Sequence, residues 1–132
     1  MEYTAQKLTP EEIEKYRGFF REKQEIERSA LKDRYKEAWN IAKKAAEILY
    51  HKYGADKVAV FGSLTDPLRF TKWSDIDLAV WGLPDTSYYK AVAELISLSD
   101  DFKIDVVDPD ECSESLKTAI EKEGQKILPK NI

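Results

Sequence analysis

Val60-Phe61-Gly62-Ser63 and Ser74-Asp75-Ile76-Asp77-Leu78-Ala79-Val80, with eleven residues between Ser63 and Asp75, decide how this chain is read. Lys57 to Phe61 is a short apolar run suited to a buried strand, and it stops at Gly62-Ser63. Asp75 to Trp81 reads as a second strand. Strand side chains alternate between faces, so Asp75 and Asp77 share one face and Ile76, Leu78 and Val80 the other. A rise of about 3.3 Å per residue separates the two acids by roughly 6–7 Å. Like charges at that range raise each other's pKa and oppose folding unless a cation lies between them. Mg²⁺ meets the need, since it takes carboxylate oxygens at about 2.0–2.1 Å and keeps positions open for phosphate. A glycine ending a strand lets backbone approach a ligand closely. Ser63 beside it offers an N–H and a hydroxyl to a phosphate oxygen.

A third acid extends the pattern. In Phe102-Lys103-Ile104-Asp105-Val106-Val107, Ile104 and Val106 share a face, so Asp105 points the other way. If this strand neighbours Asp75–Trp81, three carboxylates converge on one side of a sheet, and two metal ions can sit among them. Each piece alone has an ordinary reading. Gly-Ser after a strand is usually a plain turn, and Asp-x-Asp often marks a solvated sheet face. The order of the pieces is what carries information.

Working outward, Thr9-Pro10-Glu11-Glu12 reads as a helix start, with Thr9 as N-cap and Glu12 closing a capping box. Helix-favouring residues continue to Tyr53, Gly54 is a natural stop, and Gly18 alone leaves open whether the run is one helix or two. Arg21 to Lys36 is dense in mixed charge, the pattern of a helix projecting into water or pairing narrowly. From Tyr35 a stronger apolar face, including Ala38, Trp39, Ala42 and Leu49, should pack on a core. Further on, a helix is expected from about Thr86 to Leu98, a strand over Asp101–Val107, a helix over Ser113–Glu123 and a short strand over Gln125–Leu128. These elements predict an α+β fold (α/β-type): a small mixed β-sheet flanked by helices, behind a long helical N-terminal extension. Residues 1–37 are assigned to the extension and residues 38–132 to the domain.

Bulk properties exclude several classes. At 132 residues the chain is the size of one domain, and 42% apolar residues suffice for one core. A net charge of −4 gives no general attraction to nucleic acid. Apolar runs are too short to span a membrane, and the opening residues lack the apolar stretch of a secretory signal. The single cysteine, Cys112, makes neither an internal disulfide nor a Cys-rich zinc site, which points to a reduced cytoplasmic compartment. It is read as an inert thiol. His51, the only histidine, sits in the last turn of the long helix, where a cation is favourable, and is not read as catalytic.

The two quoted motifs, with Ile104-Asp105-Val106-Val107 and Glu123-Gly124, resemble the signature of the polymerase-beta-like nucleotidyltransferase superfamily. Within it the chain is similar to the minimal nucleotidyltransferase (MNT) family over about Trp39–Leu128. The resemblance implies a nucleotidyltransferase fold with ATP and Mg²⁺ as ligands. It implies Gly62 and Ser63 at the triphosphate, with Ser74 and Arg69 in the nucleotide set. Asp75 and Asp77 become metal ligands, and Asp105 the third carboxylate, completing the metal site or taking the proton from the attacking hydroxyl. The spacer is one residue longer than the family's usual one. Its loop, Leu64-Thr65-Asp66-Pro67-Leu68-Arg69, carries an acid where relatives often have a small residue and an arginine; Arg69 or Lys72 would supply the positive charge.

Many MNT proteins are antitoxins paired with a HEPN-domain RNase toxin, onto a tyrosine of which they transfer AMP. The resemblance extends that expectation to this chain. Two alternatives stand beside it: an MNT fold that neutralises a toxin sterically, and an adenylyltransferase acting on a small molecule such as an aminoglycoside. The N-terminal helix either packs loosely on its own domain or presents Ile13, Tyr16, Phe19, Phe20 and Ile26 to a toxin or a second copy.

Overall fold

The computed structural model describes residues 7–130. The first six residues inspected for a leader, and the last two of the domain assignment, lie outside the described residues. Thr9 opens the first helix: its hydroxyl accepts the Glu12 N–H at 3.1 Å and donates to Glu12 Oε1 at 3.0 Å. From there α1 runs over Pro10–His51, 42 residues, unbroken at Gly18. One glycine costs a helix about 1 kcal/mol, too little to divide so long a cooperative run. The helix ends where Gly54 adopts φ +71 and the Ala55 N–H reaches back to the Leu49 carbonyl at 2.9 Å. Only glycine enters that left-handed conformation cheaply.

The chain divides into two compact units between Asp33 and Arg34. In the first, the described residues are exposed throughout residues 7–30. The second contains the remainder of α1, where Ala38, Ile41, Ala42, Ala45, Ala46 and Leu49 are buried at helical spacing.

Four strands, β1 (Lys57–Phe61), β2 (Ile76–Trp81), β3 (Ile104–Val107) and β4 (Gln125–Ile127), form one sheet in the order β3-β2-β1-β4. β1 is antiparallel to β2 and to β4, while β2 and β3 are parallel. A parallel pair needs a crossover, and α2 (Asp85–Ile96) supplies it. α3 (Glu114–Glu123) follows β3, its first turn capped by the Ser113 hydroxyl, which accepts the Leu116 N–H at 3.2 Å.

The expected mixed sheet and helices are therefore present, with shifted ends. β2 begins at Ile76, so Asp75 precedes the strand, and β3 begins at Ile104, its register partner. The residues after Gly62, expected as loop, form a one-turn 3₁₀ helix, Gly62–Thr65.

Ile76, Leu78, Val80, Val58 and Val60 lie on one sheet face and are at most 1% exposed. The opposite face carries Phe61, Asp77 and Ala79, and Ile120 of α3 packs on Phe61 and Ala79. Trp81, Val107, Cys112 and Leu116 close around that cluster. Asp77 stays half-buried beside the covered Ala79.

Candidate active site

Register sets the site. Asp77 is the Cα partner of Asp105 across the parallel β2–β3 pair and of Phe61 across β1–β2. Cross-strand partners share a face, so the two acids stand side by side, with Asp75 two residues before Asp77. Burial pushes the Asp77 carboxyl up to about 6; the negative charges of Asp105 and then Asp75 push the same way, and Lys103 opposes them. The sheet thus sets Asp77 beside Asp105, and Asp75, just before β2, adds its charge to Asp77.

Gly62 closes one wall. Its φ is +73, and a Cβ placed there would lie 2.5 Å from Asp77 Oδ2. The positive φ strains any side chain there, and a Cβ would push the Asp77 carboxylate aside, so the chain turns directly against the acid. The 3₁₀ turn that follows is tied down from three directions. Tyr35 Oη of α1 donates to the Leu64 carbonyl at 3.1 Å, Gln125 Nε2 of β4 to the Thr65 carbonyl at 3.2 Å, and Thr65 Oγ1 to the Gly62 carbonyl at 2.7 Å. Ser63 lies in this turn, half-buried, and its carbonyl accepts the Asp66 N–H at 3.1 Å.

The remaining candidates are engaged locally. Ser74 Oγ accepts the Thr71 N–H at 2.8 Å, within a turn. Arg69 Nη1 holds Glu123 Oε1 at 3.0 Å. Asp66 turns its Oδ1 to the Leu68 N–H at 2.9 Å, which keeps that carboxylate on its own loop. Lys72 Nζ lies 5.2 Å from the Trp73 ring centroid. His51 is exposed, and Cys112 is a free, half-buried thiol in the Ile120 cluster.

Sequence reasoning passed over Lys103, whose Nζ lies 3.7 Å from Asp105 Oδ1. The signal was available: Lys103 precedes Asp105 by two residues, and strand alternation puts both on one face. It is a cation beside Asp105, separate from the charge that Arg69 or Lys72 would bring to the loop after Gly62.

These residues suit a hard dication. The donors are all carboxylate oxygens, one of them in a desolvated position short of positive charge. Among the described residues, no three His, Cys, Asp or Glu side chains already stand close enough to grip one ion. Asp105 Oδ1 lies instead 3.7 Å from Lys103 Nζ.

A family model described as "Polymerase beta, Nucleotidyltransferase" matches residues 43–132, which include both motifs and all three acids. Among solved structures, the chain is similar to one from a toxin–antitoxin complex with AMP-PNP: 22% identity, TM-score 0.52, covering 67% of this chain and 73% of that one. A second similar chain comes from tri-AMPylated Shewanella oneidensis HEPN toxin in complex with MNT antitoxin: 22% identity, TM-score 0.51, covering 70% and 73%. At this identity the likeness is one of fold. No curated protein sequence matches the chain.

Proposed function

Because the chain belongs to the polymerase beta nucleotidyltransferase family, we propose that it transfers AMP from Mg-ATP to a protein hydroxyl, a tyrosine of a HEPN-type RNase toxin that it silences as an antitoxin. The observation that carries the reading is the Asp77–Asp105 cross-strand pair set against Gly62, with Asp75 alongside. Asp75, Asp77 and Asp105 would hold Mg²⁺, which when bound supplies charge neutralisation at the phosphates. Gly62 and Ser63 present backbone and hydroxyl to the triphosphate, on a turn fixed by Tyr35 and Gln125.

In the reaction the acceptor hydroxyl oxygen attacks the α-phosphorus in line. A new P–O bond forms as the bond to pyrophosphate breaks, and Asp105 takes the hydroxyl proton. The protein acceptor is supported by the similar structures, which are toxin–antitoxin complexes, one with AMP-PNP and one with an AMPylated toxin. We place the reaction in the cytoplasm; no helix among the described residues is long and apolar enough to cross a membrane.

The Arg69–Glu123 ion pair favours a second reading, in which the fold neutralises its partner sterically, because it occupies the guanidinium that a triphosphate would need. Co-expression with a HEPN-type toxin, followed by intact mass of the toxin, separates the two. A gain of one or more AMP units supports transfer. A neutralised toxin of unchanged mass leaves only the steric reading.

A further inference from the structure

The first half of α1 carries large apolar side chains that nothing in its own unit covers: Ile13 is 37% exposed, Tyr16 48%, Phe19 58%, Phe20 65% and Ile26 65%. At about 100° per residue they fall within one arc of roughly 140°, with Lys23 in its middle. The arrangement is palindromic about the midpoint between Phe19 and Phe20. Residues whose numbers sum to the same total pair Ile13 with Ile26, Tyr16 with Lys23 and Phe19 with Phe20.

We propose that this face pairs with the same face of a second copy, the two helices antiparallel. A two-fold axis between antiparallel helices brings such residues to one height across the seam. The stripe then forms six layers: Ile–Ile at each end, a Tyr16 ring against a Lys23 ammonium in the next, and two Phe–Phe layers at the centre. The Tyr–Lys layers are cation–π partners, so the one polar residue in the stripe meets an aromatic face instead of an apolar one. Along one flank Lys15 approaches Glu22 of the other copy, opposite in sign and repeated by symmetry. Beyond the Ile layers Glu12 meets Glu27 of the other copy, a like-charge contact that works against the pairing and that the apolar layers must outweigh.

The size of the face is consistent with a partner. Covering the exposed parts of the five apolar side chains removes on the order of 600 Å² per chain. With both chains counted, the total approaches the lower bound of about 1,200 Å² for a stable interface. Per chain, it also lies at the upper end of the largest apolar patch, about 300–600 Å², that a monomer normally exposes. The pairing involves residues remote in sequence from the carboxylates and is independent of the proposed reaction.

The test uses the full chain. Sedimentation over a concentration series should give twice the 15.2 kDa chain mass, falling to the single-chain mass for Phe19→Lys/Phe20→Lys with unchanged helical circular dichroism. Orientation is read by disulfide trapping in a Cys112→Ser background. Chains carrying Tyr16→Cys mixed with chains carrying Lys23→Cys, the pair nearest the middle of the seam, should cross-link to each other, and Tyr16→Cys alone should not. A wild-type chain that is monomeric at all concentrations overturns the inference. So does Tyr16–Tyr16 cross-linking, which requires parallel helices, and so does a face that only a toxin chain covers.

Discussion

Replacing Asp77 with asparagine should make the metal-free protein more stable above neutral pH while removing its capacity for metal. The carboxyl is held up to about 6 by burial and by Asp105 and Asp75, against 3.8 for an ordinary aspartate. An acid whose folded pKa is raised costs the fold stability wherever it is ionised. The cost is complete above the folded value, shrinks as pH falls through about 6, and is gone below about 4. At about 1.4 kcal/mol per pH unit the gap bounds the cost near 3 kcal/mol, and solvent screening of a half-buried group reduces it to about 1–2 kcal/mol. Urea unfolding in EDTA at pH 8 should therefore show Asp77→Asn gaining about 1–2 kcal/mol over the wild type, with the difference vanishing at pH 4. Added Mg²⁺ should stabilise the wild type and leave the variant unmoved. A variant equal to or weaker than wild type at pH 8 would refute the claim that Asp77 is crowded by uncompensated charge.

Two further substitutions probe the neighbouring parts. Gly62→Ala sets a Cβ 2.5 Å from Asp77 Oδ2 at a φ of +73; it should lower stability by about 1–3 kcal/mol and abolish ATP binding, both read from thermal unfolding with and without Mg-ATP. Unchanged ATP binding would remove Gly62 from the triphosphate cradle. Arg69→Ala breaks an exposed ion pair with Glu123 and should cost under about 1 kcal/mol. A tenfold loss of ATP affinity in calorimetry would make Arg69 a nucleotide ligand, and no loss would leave it a structural partner of Glu123.

Much of this was legible in the sequence because it rests on alternation. Asp77 and Asp105 could be placed on matching faces from the period of two, and the β2–β3 register sets them against each other, while Asp75 falls just before the strand expected to hold it. Thr9 and Gly54 marked the ends of α1 because capping and left-handed backbone have residue preferences. What pairs over long range was less legible. Nothing near Arg69 in sequence announces Glu123, and nothing near Leu64 announces Tyr35. The 3₁₀ turn after Gly62 looked like loop because the hydrogen bonds that hold it come from α1 and β4. Lys103 was overlooked although the same alternation that located Asp105 placed it there.

Calorimetric titration of ATP in the presence of Mg²⁺, comparing wild type with Asp75→Asn/Asp77→Asn, examines most directly whether these acids and the glycine turn form one nucleotide site. The wild type should bind ATP only when the metal is supplied, and the double variant should retain its fold and bind none. Metal-independent binding, or binding that survives the double substitution, would contradict the account.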